Sequence, residues 1–175
     1  MLVSLAERPV AARLVAALLF LLLAASLAFP LVSLAVDERS AQASGLQLVT
    51  GDIELAGRYV HGAYAGEAER LVDEVSGPAR GVLLSALAAL ALVWLPGRAG
   101  LVAGAVLALA ASVWLLVLYQ TATSAFDLVD AGVRFGYAPA SLAALAALAW
   151  CSFAASRALW WWRPKPPPAR DYFRR

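Results

Sequence analysis

The chain has 175 residues, of which 62% are hydrophobic and only 15% are charged. Soluble domains are about half apolar, so this composition predicts one integral membrane domain and excludes an ordinary water-soluble fold. The net charge is only +2, and the basic residues gather at the two termini, which follows membrane topology and argues against nucleic acid as a partner. The single cysteine excludes an intrachain disulfide.

The first predicted membrane span covers residues 14–36, which carry no charged side chain. Pro30 cannot donate a hydrogen bond to the carbonyl of Ser26, so the helix is expected to end or bend there, with extended chain beyond it. The alternative is a cleaved signal peptide with residues 41–43 at the cleavage site. The apolar run is longer than a usual signal-peptide core, which favours an uncleaved anchor.

Residues 37–80 form the longest polar stretch and are predicted to be an extracytoplasmic loop. Apolar and polar residues partly alternate over 46–50 and again over 52–55, with a glycine-aspartate turn signal between them. This pattern predicts a small β-hairpin in the loop, which the extended residues 30–36 could join.

A short amphipathic helix is predicted over residues 67–75, near the end of the outer loop. Its apolar residues recur at helical spacing, at Ala68, Leu71, Val72 and Val75. Gly77 and Pro78 are expected to stop this helix and to begin the next one, since proline is tolerated in the first turn of a helix.

Three further spans are predicted at residues 81–96, 99–119 and 135–156, all free of charged side chains. An apolar helix of about 20 residues crosses the hydrocarbon of a bilayer. The connector at 96–98 is so short that the second and third spans must form an antiparallel pair. The predicted fold class is therefore an all-α transmembrane four-helix bundle with a small extracytoplasmic β-hairpin or sheet.

Small residues recur at every fourth position on one face of the third span, at Gly100, Gly104, Ala108 and Ser112. This spacing lets helix backbones approach closely in lipid, so these residues are the candidate helix-packing site. Alanine is abundant in the chain and produces some stripes by chance, but the two glycines are harder to explain in that way. Cys151 lies on a similar stripe and is interpreted as a packing residue rather than a reactive thiol.

A tryptophan cluster beside a cation follows the fourth span: Trp160, Trp161, Trp162 and Arg163. Such residues are typical of a membrane interface, and they are the candidate interface anchors. Residues 163–175 form a basic, proline-rich tail that is expected to be cytoplasmic and to lie against the inner leaflet. The four-span membrane domain is accordingly assigned to residues 1–162.

Four spans divide the charged residues unequally between two sides. The side with both termini and Arg98 carries nine Lys/Arg and two acidic residues, a balance of +7, while the other carries five Arg and ten acidic residues, a balance of −5. Positive residues are retained in the cytoplasm, so the protein is predicted to be a multi-pass protein of the plasma (inner) membrane with both termini cytoplasmic.

Four spans with a long first outer loop, a tight inner turn and a short second outer loop resemble the topology of claudins and the peripheral-myelin-protein-like membrane proteins. Three short stretches add to the resemblance: Pro-Ala-Arg-Gly at 78–81, Gly104 with Ala-Ser-Val-Trp at 111–114, and Phe-Gly-Tyr at 135–137.

The first outer loop departs from that of true claudins because it has no tryptophan, no Gly-Leu-Trp motif and no cysteine pair. A junction-forming or pore-forming role is therefore not implied. Residues 44–51 instead look like the outer hairpin of four-span bacterial membrane proteins that have no assigned activity. For that group the resemblance implies a fold only.

No catalytic, cofactor or metal site is predicted. A hydrolytic set could combine the following residues: His61, Ser44, and Asp52 or Glu54. No nucleophile motif accompanies them, so a surface histidine in a loop is the preferred interpretation. The outer acidic residues lack the spacing of a calcium loop and are interpreted as solvated. They are Asp37, Glu38, Asp52, Glu54, Asp127 and Asp130.

Two classes of function remain. The first is a structural or accessory membrane protein without catalytic activity, which packs against a second copy or a larger membrane complex and presents its outer hairpin for interaction. The alternative is a small oligomeric transport or channel component, with Gln120, Thr121 and Ser124 near its mouth. The absence of charge inside the spans favours the first class, because transport pathways usually retain ionisable residues there.

Overall fold

The computed structural model describes residues 9–36, 39–50, 63–123, 130–133 and 136–161. In chain order these residues form helix α1 (Pro9–Ser26), strands β1 (Pro30–Val36) and β2 (Arg39–Ser44), helices α2 (Gly45–Thr50), α3 (Ala63–Leu92) and α4 (Ala99–Thr123), strand β3 (Asp130–Val133) and helix α5 (Tyr137–Trp161).

Helices α1, α3, α4 and α5 form a bundle with the cyclic order α1, α3, α4, α5, in which each helix packs mainly against its two neighbours. In α4 the buried residues recur every three or four positions, as expected for one face of a helix. The opposite face of α4 is also apolar and exposes large side chains such as Val106, Leu109 and Val113. A helix that is apolar on all sides indicates apolar surroundings outside the bundle.

Three helical segments are long and apolar enough to cross a membrane: Asp73–Leu92, Ala99–Thr123 and Tyr137–Arg157. A fourth apolar helix, Val10–Ser26, is shorter. The mostly helical architecture and these long apolar helices agree with the predicted class of membrane protein.

Most helix bounds differ from the predicted spans by a few residues. The helices end at Ser26, Leu92, Thr123 and Trp161, where the sequence predicted 36, 96, 119 and 156. The first difference was anticipated in part, because Pro30 was expected to end the helix and the chain does become extended at that residue.

The strands form an antiparallel sheet with the order β2-β1-β3, which lies at the end of the bundle where α1 ends. β3 was not predicted; it pairs with β1 and sets Val133 opposite Val32. The backbone N–H of Gly136 donates to the carbonyl of Pro30 at 2.8 Å, so the start of α5 is held at the start of the central strand.

The strand predicted over residues 46–50 is wrong, because these residues are helical. The N–H of Ser44 donates to Gln47 Oε1 at 2.9 Å, and the N–H of Gln47 donates to Ser44 Oγ at 3.2 Å. This reciprocal capping box starts α2 and outweighs the partial alternation of apolar residues. The hairpin is formed by β1 and β2 instead, and the predicted strand over 52–55 lies outside the described residues.

The residues of the predicted amphipathic helix, 67–75, are helical, but the prediction of a separate helix is wrong. Helix α3 continues through Gly77 and Pro78 without a break. Proline inside a helix removes one backbone hydrogen bond, at a cost of about 3 kcal/mol. Pro78 and the adjacent Ala79 are both buried, so packing against the bundle offsets that cost.

Candidate functional site

The predicted helix-packing face of α4 points into its own bundle. A Cβ placed on Gly104 would lie 3.1 Å from Cys151 Sγ in α5 and 3.6 Å from Phe20 Cε2 in α1. Cys151 and Phe20 are fully buried. Helix α1 lies diagonally across the bundle from α4. Because Gly104 has no side chain, Phe20 of α1 and Cys151 of α5 can both pack against α4 at this position.

The other three residues of that face have different surroundings. A Cβ on Gly100 would lie 2.6 Å from the carbonyl oxygen of Val93, so glycine lets the turn between α3 and α4 close tightly. Ala108 is fully buried. The hydroxyl of Ser112 donates to the carbonyl of Ala108 at 2.8 Å, so its polar group is satisfied within α4. The four residues therefore contribute to internal packing rather than forming one uniform outer surface.

A second close approach joins α3 to α4. A Cβ on Gly81 would lie 2.5 Å from the ring of Trp114, which covers the glycine. Ser85, one turn further along α3, is buried. The absence of a side chain at Gly81 therefore makes room for a large aromatic side chain of α4.

The cap, which we define as β1, β2, β3 and α2, is tied to the bundle by specific contacts. Arg80 of α3 donates from Nε to the carbonyl of Val49 at 2.9 Å and so binds the last turn of α2. A Cβ on Gly45 would lie 2.7 Å from Leu31 Cδ1, so α2 begins directly against the chain leaving α1. In the sequence, Arg80 was noted only as part of the Pro-Ala-Arg-Gly stretch at residues 78–81.

The opposite end of the bundle is held by a tryptophan that the sequence did not single out. Trp150 of α5 donates from Nε1 to the carbonyl of Ala12 in α1 at 2.9 Å. Of the predicted interface anchors, Trp160 and Trp161 belong to the last turn of α5. Trp162 and Arg163 lie outside the described residues, and the interface role of all four stays a prediction.

The residues weighed for catalysis are not brought together by the described part of the chain. Ser44 is the N-cap of α2, and His61, Asp52 and Glu54 lie outside the described residues. Within the described ranges, no group of three or more His, Cys, Asp or Glu side chains could hold a metal ion.

In comparisons with protein-family models, curated proteins and solved structures, nothing matches this chain. The resemblance to claudins and to four-span bacterial proteins therefore stays a prediction.

Proposed function

We propose that the protein is an integral membrane protein of structural or accessory type, which crosses the bilayer four times and acts by assembly rather than by catalysis. The observation that carries this proposal is the interior of the bundle. Among the described residues, no charged side chain is buried, the buried polar groups are serine hydroxyls, including that of Ser141, and the rest of the core is apolar, with many alanines. Such an interior stabilises close helix packing and offers no charged group for chemistry or ion passage.

The first helix supports a four-span arrangement although it is short. Residues Val10–Ser26 would extend about 25 Å, near the lower limit for crossing the hydrocarbon. Helix α1 packs against α3 and α5, both of which include segments long enough to span a membrane. It therefore lies at the same depth in the bilayer as those two helices. Its outer face exposes Leu14, Leu18 and Leu21, which are better solvated by lipid than by water.

The charges of the described residues support cytoplasmic termini. Arg13, Arg98 and Arg157 lie at the end of the bundle where α1 begins and α5 ends. The opposite end carries five acidic residues and three arginines, which belong to α3, β2 and β3: Glu67, Glu69, Asp73, Glu74, Asp130, Arg39, Arg70 and Arg80. Positive residues are enriched on the cytoplasmic side, so the cap faces outward.

The cap is the proposed interaction surface, because the small-residue face of α4 is occupied inside the bundle. Leu46 in α2 is 46% exposed, and Gln47 in α2 and Gln42 in β2 are exposed as well. β2 and β3 are the edge strands of the sheet, and edge strands carry backbone groups that can pair with another chain.

Orientation is tested by cysteine labelling of intact cells with a membrane-impermeant maleimide. Gln42→Cys should react from outside, whereas Ala169→Cys should react only after the cells are permeabilised. The native Cys151 is buried and serves as the unlabelled background. Reaction of both introduced cysteines from the same side would exclude the four-span topology.

Assembly is tested by the native mass of the full chain extracted in mild detergent. We expect a mass above that of one 18.4 kDa chain, either as a second copy or with another protein. Leu46→Ser should release the partner, while Leu18→Ser on the lipid-facing side of α1 should not. A single-chain mass for the wild type would contradict the proposal.

The channel alternative is tested by ion flux through liposomes that contain the protein alone. We expect these liposomes to show no flux. Measurable flux would support the channel alternative instead.

A further inference from the structure

The turn between α3 and α4 carries a pair of arginines at the predicted cytoplasmic end. Arg13 of α1 donates from Nη2 to the carbonyl of Gly97 at 3.1 Å. Gly97 is followed directly by Arg98, so peptide geometry sets the Arg13 guanidinium within about 6 Å of the Arg98 Cα. Gly97 has a φ of 69°, a left-handed conformation that glycine adopts without strain.

This arginine pair has no counter-charge among the described residues. The acidic residues of the described part all belong to the first half of α3 or to β3, at the other end of the bundle. One N–H of the Arg13 guanidinium is used by Gly97, and the other four have no partner within the described part of the chain. Arg98 is exposed and follows Gly97 directly, so its side chain is free to reach an anion that the Arg13 guanidinium contacts.

The surface beside the pair is apolar. Trp94 is 49% exposed and Leu95 is 41% exposed, and both belong to the turn that carries Arg98. The α5 side of the same end carries Arg157, whose Cζ lies 5.5 Å from the ring centroid of Phe153. Cations next to exposed apolar side chains fit a ligand that has an anionic group and a hydrocarbon portion.

We propose that Arg13 and Arg98 bind the phosphate of an acidic phospholipid at the turn between α3 and α4, with Trp94 and Leu95 against its glycerol and acyl chains. The planar guanidinium matches phosphate oxygens in a bidentate manner, and acidic lipids are available in the cytoplasmic leaflet. The exposed apolar residues favour a lipid over free phosphate. The inference rests on the proposed membrane position of the bundle.

The test is native mass spectrometry of the full chain in neutral detergent, titrated with phosphatidylglycerol or with phosphatidylcholine. The wild type should retain phosphatidylglycerol in preference to phosphatidylcholine. Arg98→Gln should weaken retention about fivefold, and the double variant Arg13→Gln/Arg98→Gln about 25-fold, since each cation contributes a similar increment. Arg98 is exposed, so the single variant tests binding even where the double variant fails to fold.

The matched control is Arg80→Gln, which also removes a cation bonded to a backbone carbonyl but lies at the capped end of the bundle. It should bind phosphatidylglycerol as the wild type does. The proposal would be overturned if the wild type retained the two lipids equally, or if Arg80→Gln weakened phosphatidylglycerol retention as much as Arg98→Gln does. It would also be overturned if millimolar inorganic phosphate displaced the lipid. A protein that is not membrane-embedded would already fail the labelling experiment, so the two failures are distinguishable.

Discussion

Replacing Gly104 by leucine is expected to destabilise the bundle by about 1–3 kcal/mol, the usual cost of overpacking a filled core. A Cβ alone would lie 3.1 Å from Cys151 Sγ, which is closer than about nine in ten Cβ contacts in proteins, and leucine adds three more carbons. Cys151 and Phe20 are fully buried, so neither neighbour has free space into which to move. The helices would have to separate.

The assay is thermal or denaturant unfolding of the detergent-solubilised full chain. Ala146→Leu is the control, because Ala146 is exposed on α5 and its enlargement should change stability by no more than about 0.5 kcal/mol. If Gly104→Leu unfolds at the same midpoint as this control, the packing described for Gly104 is wrong.

A double-mutant cycle tests the same contact without a large side chain. With Cys151→Ala, the nearest atoms to a Cβ at position 104 become Phe20 Cε2 at 3.6 Å and the Cβ of residue 151 at 3.9 Å, both ordinary distances. Gly104→Ala should therefore stabilise this background by up to about 1 kcal/mol through helix propensity. In the wild-type background the close sulfur should cancel that gain or reverse it. Additive effects of the two substitutions would refute the reasoning.

Two further predictions concern other contacts of the bundle. Gly81→Ala should lower the midpoint of thermal unfolding, because the new Cβ would lie 2.5 Å from the Trp114 ring. This decrease should be smaller in a Trp114→Leu background. Equal decreases in both backgrounds would contradict the contact. Trp150→Phe should lower the free energy of unfolding by about 1 kcal/mol, because it removes the N–H that donates to the Ala12 carbonyl. If this variant is as stable as the wild type, the hydrogen bond does not contribute to stability.

The apolar helices were predictable because hydrophobicity over a long window is a local property of the chain. α4 was predicted over residues 99–119 and is observed over Ala99–Thr123. The extended chain after Pro30 was predictable for a similar reason, since proline removes a backbone donor whatever the helix packs against. The capping box at Ser44 and Gln47 is also recognisable from the sequence, but the partial alternation of apolar residues over 46–50 favoured a strand instead.

Other features depend on residues far apart in the chain. β3 carries only four residues and forms because β1 offers it an edge, roughly a hundred positions earlier in the sequence. Helix α3 continues through Pro78 because burial in the bundle compensates for the lost hydrogen bond, and a local rule cannot include that compensation.

The sequence by itself determined that the chain consists mainly of apolar helices, because hydrophobicity is summed along the chain. It also determined that Gly104 belongs to a face of small residues. Only the tertiary structure decided what that face contacts, since periodicity specifies a direction on a helix and not the neighbour in that direction. The neighbours of Gly104 are Phe20 and Cys151 of the same chain, so at this residue the face packs the bundle internally.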